Sequence, residues 1–172
     1  MEIRRLREED DRNALSRIYE VSWRFAYKGI IPRDYLDSIP KGQWAASADK
    51  PNISTLIVTE DGEMVGTASF CPSRFEDMAG WGEIVSIYLL PDHMGKGYGK
   101  MLFAEAVRGL EEMGFRDIFL WVLEENTNAR RFYEKQGFVP GGKYLDDNIG
   151  GKPLREMQYV RKTANDVRRY SE

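Results

Sequence analysis

The chain has 172 residues, 42% hydrophobic and 31% charged, with a formal net charge of −3. That length suits one domain with one sizeable core, and the charge leaves no basic footprint for nucleic acid. A single cysteine, Cys71, and a single histidine, His93, exclude an intrachain disulfide and any metal site built from several histidines or thiolates.

The N-terminal "MEIRRLREEDDRN" is charged throughout and lacks the apolar core of a signal peptide. No apolar run approaches the roughly 18–20 residues that span a bilayer, so a cytoplasmic chain without a membrane partner is expected. "EIRRLR" reads as a short first strand. Acidic residues 8–11 open a helix through "RNALSRIYEVSWRFAY", where Leu15, Ile18, Tyr19 and Ser22 recur at helical spacing until Gly29. "IPRDYLDSIP" is a second short helix, with Pro32 in its first turn and Pro40 closing it. Residues 41–52 read as irregular or weakly helical. "STLIVTEDGEMVGTASFCP" is a hairpin about Asp61-Gly62, a pair suited to the positive φ angles of a tight turn. Cys71 reads there as a strand residue.

"WGEIVSIYLLP" is a further strand ending at Pro91. A glycine loop and a helix over about residues 97–113 follow, with Leu102, Phe103, Ala106, Val107, Leu110 and Met113 on one stripe. "DIFLWVL" is a buried strand and "ENTNARRFYEKQGF" a short helix capped by Gly137, with Phe138 folding back beyond it. "FVPGGKY" and "PLREMQYVRK" are the last strands, and "LDDNIGGK" loops between them. The order of elements predicts an α/β (α+β) mixed sheet in one domain over residues 1–162. Residues 163–172 form a C-terminal tail whose Arg168 and Arg169 read as solvated.

The stretch "LLPDHMGKGYGKMLF" strips the backbone bare where a strand becomes a helix. The first amides of a helix have no intrahelical acceptor, and the helix dipole adds about half a positive charge there. Gly95, Gly97 and Gly99 let an anion reach those amides, and Lys96 and Lys100 add charge. The predicted ligand is a phosphate or pyrophosphate; a ligand-free glycine turn is the plainer alternative. The spacing G-x-G-x-G departs from the dinucleotide fingerprint, and no Ser or Thr follows Lys96 or Lys100 as a triphosphate loop requires.

"PDHMGKGYGKML" resembles the coenzyme A loop of the GNAT acetyltransferases, Arg/Gln-x-x-Gly-x-Gly/Ala, and "ENTNARRFYEKQGF" resembles that family's Asn…Tyr…Gly-Phe motif. The resemblance covers about residues 2–160. Met94 stands where the family has Arg or Gln, which puts a side-chain contribution at that position in doubt. The resemblance implies the GNAT fold, a central, mostly antiparallel mixed sheet of about seven strands flanked by helices. It also implies transfer of an acetyl group from acetyl-CoA to a primary amine of a small molecule or peptide, by direct attack in a ternary complex. No metal is called for, and a homodimer is among the arrangements the family suggests.

Carried onto this chain, Ile87, Tyr88 and Leu89 would flank the pantetheine arm. Met94, Gly95, Lys96, Gly97, Tyr98, Gly99 and Lys100 would hold the pyrophosphate. Asn126 would bind the arm from the other side, although its position also suits a helix N-cap. Tyr133, a phenol protonated at neutral pH, would be the general acid for the leaving thiolate. Glu83 is the candidate base for the amine, with a solvated strand-end carboxylate as the alternative reading. His93 reads as packing or capping. The Leu89 amide would polarise the thioester carbonyl. The acceptor side would be built by "WRFAYKGIIPRDYLDSI" and "YLDDNIGGKPL", with Trp23, Tyr27 and Glu83 as contacts. Phe25 and Tyr35 add aromatic surface there, and Asp34, Asp37, Asp146 and Asp147 are available to attract a cation. The alternative function is a non-catalytic acyl-CoA-binding regulatory module of the same fold, which would have no use for the Tyr133 proton.

Overall fold

A computed structural model describes residues 1–162; the expected tail over 163–172, with Arg168 and Arg169, lies outside them. In chain order the elements are β1 (Glu2–Arg5), α1 (Arg12–Ala26), α2 (Arg33–Ser38), β2 (Ser54–Glu60), β3 (Glu63–Pro72) and β4 (Gly82–Leu89). Then come α3 (Tyr98–Glu112), β5 (Ile118–Leu123), α4 (Thr127–Lys135), β6 (Val139–Ile149) and β7 (Lys152–Arg161). The seven strands form one sheet in the order β1-β2-β3-β4-β5-β7-β6. Every neighbouring pair is antiparallel except β4 with β5. The mixed, mostly antiparallel sheet expected from the sequence is thus the architecture found.

The helical stripes decide which face each helix covers. Leu102, Phe103, Ala106, Val107 and Leu110 of α3 are buried with Ala68, Phe70, Ile84, Ile118, Leu120 and Val122 of the sheet. α3 lies close because Gly109 has no side chain: a Cβ there would stand 2.4 Å from Phe70 Cζ. Met113, expected on the stripe, is 44% exposed: it is the C-cap of α3, just before the chain leaves the helix at Gly114, with φ 95°. On the opposite face Leu15 and Tyr19 of α1 pack on Ile57, and Leu36 of α2 joins Leu123 and Leu154. α1 opens as its sequence suggests, with Asp11 as N-cap accepting from the Asn13 amide.

The loop expected over residues 145–152 is a correction. β6 runs on through Ile149, and only Gly150 and Gly151 turn the chain, at φ 62° and 84°. The acidic run "LDDN" suggested a loop, yet β6 is an edge strand whose outward residues stay in water, so aspartates are tolerated there.

β4 carries the feature that matters most for the site. Ser69 pairs with Ser86 and Phe70 with Ile84, so Val85 is an extra residue that bulges out of the ladder. β4 pairs with β5 only through Gly82, Glu83 and Ile84. Past the bulge the two parallel strands part, and the β5 side of residues 85–89 is left without a partner strand.

Candidate active site

The gap between β4 and β5 opens into a cleft of about 840 Å³. Its walls are Val85 to Leu89 of β4, Trp121 and Val122 of β5, the C-terminal end of α1, the glycine loop and the start of α4. The ladder to β3 identifies the backbone groups that face it. Leu90 N–H donates to Val65 at 2.8 Å beside the Gly66–Leu89 pair, so Leu89 is at a non-hydrogen-bonded position of the β3–β4 ladder. Alternation then turns the backbone of Leu89 and Ile87 toward the gap and that of Tyr88 toward β3. The Leu89 carbonyl is taken by the Ser22 hydroxyl at 3.1 Å. Its N–H stays available on the open edge.

At the far end, Met94, Gly95, Gly97, Gly99 and Lys100 line the cleft. Gly95 and Gly97 have φ of 78° and 84°, the left-handed region, and Gly97 is the N-cap of α3. The side chains between them turn the other way. His93 Nδ1 lies 2.7 Å from the Glu60 carboxylate, Lys96 Nζ donates to it at 2.9 Å, and the Tyr98 hydroxyl donates to its other oxygen. These bonds hold the Glu60 carboxyl down at about 2, with the Tyr98 bond first and Lys96 next. Lys96 and Tyr98 accordingly do not line the cleft, and the glycines on either side of them do. Lys100 has no ion pair among the described residues and stands where an anion would meet it.

Asn126 caps α4, its Oδ1 accepting from the Ala129 amide at 3.2 Å, and also lines the cleft. The cap leaves its side-chain N–H groups for another partner. Tyr133 faces the cleft from α4, its ring packed beside Phe103, Phe132 and Tyr159. Its hydroxyl has no hydrogen bond among the described residues. Burial raises its pKa, and the neighbouring Tyr88 phenol raises it further, so it stays protonated. Tyr27 and Tyr88 meet hydroxyl to hydroxyl at 3.2 Å. Burial pushes Tyr88 up to about 12 and raises Tyr27 as well.

The two segments expected on the acceptor side come together. Lys152 Nζ donates to the Ile30 carbonyl at 2.8 Å and pairs with Glu125 at 3.1 Å. A Cβ on Gly150 would lie 2.6 Å from Tyr35, so the β6–β7 turn sits directly against α2. Tyr27 and Phe25 line the cleft; Trp23 packs beside Tyr27 and Trp44 without lining it. The aspartates are engaged or outward: Asp37 pairs with Arg33, Asp146 with Arg155, and Asp147 accepts from the Asn148 amide.

Glu83 is placed differently from the expectation of a base poised at a strand end. It is 1% exposed, outside the cleft lining, and held by Arg74 at 2.6 Å and 3.0 Å with the Arg74 amide at 3.2 Å. A carboxylate fixed by a guanidinium fork is a structural anion more than a proton acceptor. The sequence reading passed over Glu156 of β7, which stands opposite Leu123, between Leu154 and Gln158 on the sheet face that α1 and α2 cover. Like Glu83 it lies outside the cleft lining, but its side chain has no hydrogen bond or ion pair among the described residues, and its charge is felt by Tyr27, Tyr88 and Arg74. Burial raises its pKa, Asp147 adds to the rise and Arg74 opposes it.

Among the described residues no group of three or more His, Cys, Asp or Glu side chains converges as a metal site would require, and no helix is long and apolar enough to cross a membrane.

Residues 13–138 match the sequence model of the acetyltransferase (GNAT) family. An uncharacterized N-acetyltransferase of Bacillus subtilis (strain 168), YuaI, is 33% identical over 152 residues, 86% of each chain. The spermidine N(1)-acetyltransferase of Thermoplasma acidophilum is 26% identical over 168 residues, 92% of this chain and 98% of the relative. Among solved structures, the PaiA N-acetyltransferase of T. acidophilum in complex with coenzyme A superposes with a TM-score of 0.72 at 24% identity, covering 94% of this chain and 98% of that one. At that identity the superposition speaks for the fold.

Proposed function

Because this chain belongs to the acetyltransferase (GNAT) family, we propose that it transfers the acetyl group of acetyl-CoA to a primary amine of a small molecule or peptide. One observation carries the reading. The bare amides of the glycine loop, the unpartnered edge of β4 and the free hydroxyl of Tyr133 line the same cleft. That set fits the coenzyme from end to end. An anion site with no side chain in the way suits the pyrophosphate. An open strand edge suits the amide-bearing pantetheine arm.

Once bound, acetyl-CoA supplies the acetyl group and leaves as the free thiol. The chain's own residues do the rest. The amides around Gly95, Gly97 and Gly99, with Lys100, hold the diphosphate. Ile87 and Leu89 bind the arm through their backbone, and Asn126 reaches it from across the cleft. The Leu89 N–H donates to the carbonyl oxygen as negative charge builds there. As the amine nitrogen bonds to the carbonyl carbon and the carbon–sulfur bond breaks, the Tyr133 hydroxyl gives its proton to sulfur. The amine must shed a proton too. We assign its reception, through water, to Glu156, which is set back from the cleft lining, in preference to the Arg74-bound Glu83. The aromatic walls and Glu156 favour a cationic acceptor, and a relative named for spermidine makes polyamines the first acceptors to try. Release of free thiol from acetyl-CoA across a panel of polyamines, amino acids and N-terminal peptides tests this function. Tight coenzyme binding with no thiol release from any acceptor would favour the regulatory-module alternative.

A further inference from the structure

A carboxylate beside a diphosphate site is unexpected, since it repels the ligand. Glu60 is such a carboxylate. It ends β2 at the Asp61-Gly62 turn, more than 30 residues before the glycine loop in the chain. Three side chains of that loop converge on it: His93 at 2.7 Å, Lys96 at 2.9 Å and Tyr98. The Glu60 side chain is 19% exposed, and those of His93 and Lys96 are 24% and 44% exposed. The residues of the loop that line the cleft are the others: Met94, Gly95, Gly97, Gly99 and Lys100. The loop is therefore sorted, with anchored side chains on one side and bare backbone on the other.

We infer that Glu60 is a positioning residue for the coenzyme, which fixes the glycine loop by its side chains so that the loop's amides are already aimed into the cleft when the diphosphate arrives. The inference rests on the coenzyme reading above. Two left-handed glycines and a short connection would otherwise leave this loop many conformations, and each ordered side chain or loop segment takes free energy from binding. Glu60 moves that cost from binding to folding. Its own charge is met by Lys96 and by the Tyr98 hydroxyl, which leaves Lys100 as the cation facing the ligand. The sequence suggests the opposite role for Lys96, that of a direct phosphate ligand. On that rival view Glu60 competes with the diphosphate for Lys96, and removing Glu60 would tighten coenzyme binding.

The sign of the effect therefore decides. Coenzyme A affinity is measured by calorimetry for the wild type, Glu60→Ala, Glu60→Gln and Lys96→Met. The KM of S-acetylpantetheine, which lacks the diphosphate, is measured in parallel. The expected result is coenzyme A binding weaker by about 10- to 100-fold in Glu60→Ala, a smaller loss in Glu60→Gln, which keeps an acceptor for Tyr98, and no change in the S-acetylpantetheine KM. Unchanged or tighter coenzyme binding in Glu60→Ala would overturn the inference. So would an equal rise in both readouts, which marks general damage to the fold. Hydrogen exchange of the amides of residues 95–101 in the free protein supplies an arm that needs no ligand. Faster exchange in Glu60→Ala supports the clamp, and identical exchange refutes it even if the wild type binds no coenzyme, an outcome that would sink the coenzyme reading separately.

Discussion

Replacing Tyr133 with phenylalanine removes one oxygen and nothing else. The hydroxyl has no hydrogen bond among the described residues, and the ring contacts to Phe103, Phe132 and Tyr159, with centroids 5.7, 5.5 and 6.5 Å away, survive the change. Folding stability should therefore shift by no more than about 0.5 kcal/mol. Coenzyme affinity should also hold, because the arm meets the β4 backbone and Asn126. The turnover rate should not. A positioned general acid contributes roughly 10²–10⁴-fold, which corresponds to about 2.7–5.4 kcal/mol of barrier. Thiol release under saturating acceptor gives kcat, calorimetry gives the coenzyme Kd, and thermal denaturation gives the stability. A phenylalanine variant with wild-type kcat would remove Tyr133 from proton transfer. A variant that loses kcat and coenzyme affinity by the same factor would mean that the hydroxyl serves binding instead.

Three further outcomes follow from the packing and the charges. Gly109→Ala should destabilise the fold by about 1–3 kcal/mol, read as a lower denaturant midpoint, because its Cβ would press on Phe70 Cζ at 2.4 Å. Gly97→Ala should lower folding stability by roughly 1–2 kcal/mol, read as a lower denaturant midpoint, since the left-handed conformation at φ 84° is already present without ligand. Burial raises the pKa of Glu156, so its carboxylate form appears only above the ordinary value of 4.5, and kcat/KM for the acceptor should rise with pH through a limb displaced upward from there. Glu156→Gln should erase that limb and cut kcat/KM roughly a hundredfold. The linkage has a definite sign: a raised folded-state pKa gives stability that is present at low pH and lost as pH rises through it. The glutamine variant should match the wild type near about pH 4 and melt higher than it near about pH 8. A limb that persists in the variant would free Glu156 from the proton-accepting role.

The parts of the site that the sequence revealed are the local ones. A glycine loop between a strand and an amphipathic helix, and an Asn…Tyr…Gly-Phe run on the next helix, declare themselves by spacing within a dozen residues. The succession of elements along the chain and the helical faces followed from periodicity. What could not be read is set by register and by distant partners. Glu83 looks like an accessible strand-end acid until the segment after β3 brings Arg74 back over it. Simple alternation along "EIVSIYLL" would put Tyr88 on the face away from Glu83, but the bulge at Val85 shifts the phase and sets Ser86 and Tyr88 on the Glu83 side. The same bulge opens the gap to β5, and no composition signal marks it. Glu60 meets its three partners only because a hairpin end folds onto the loop. The aspartates of β6 suggested a substrate loop because an exposed edge strand and a polar loop have similar composition.

Free-thiol release from acetyl-CoA in the presence of spermidine and a wider set of primary amines, with the acetylated product identified by mass spectrometry, bears on the whole chain of reasoning at once. Turnover that needs both the amine and the coenzyme, and that falls at least about a hundredfold in Tyr133→Phe, is the outcome this structure leads us to expect. Coenzyme A that fails to bind the wild-type protein at all, or turnover indifferent to the Tyr133 hydroxyl, would contradict the assignment of the β4–β5 gap as the place where the acetyl group is passed.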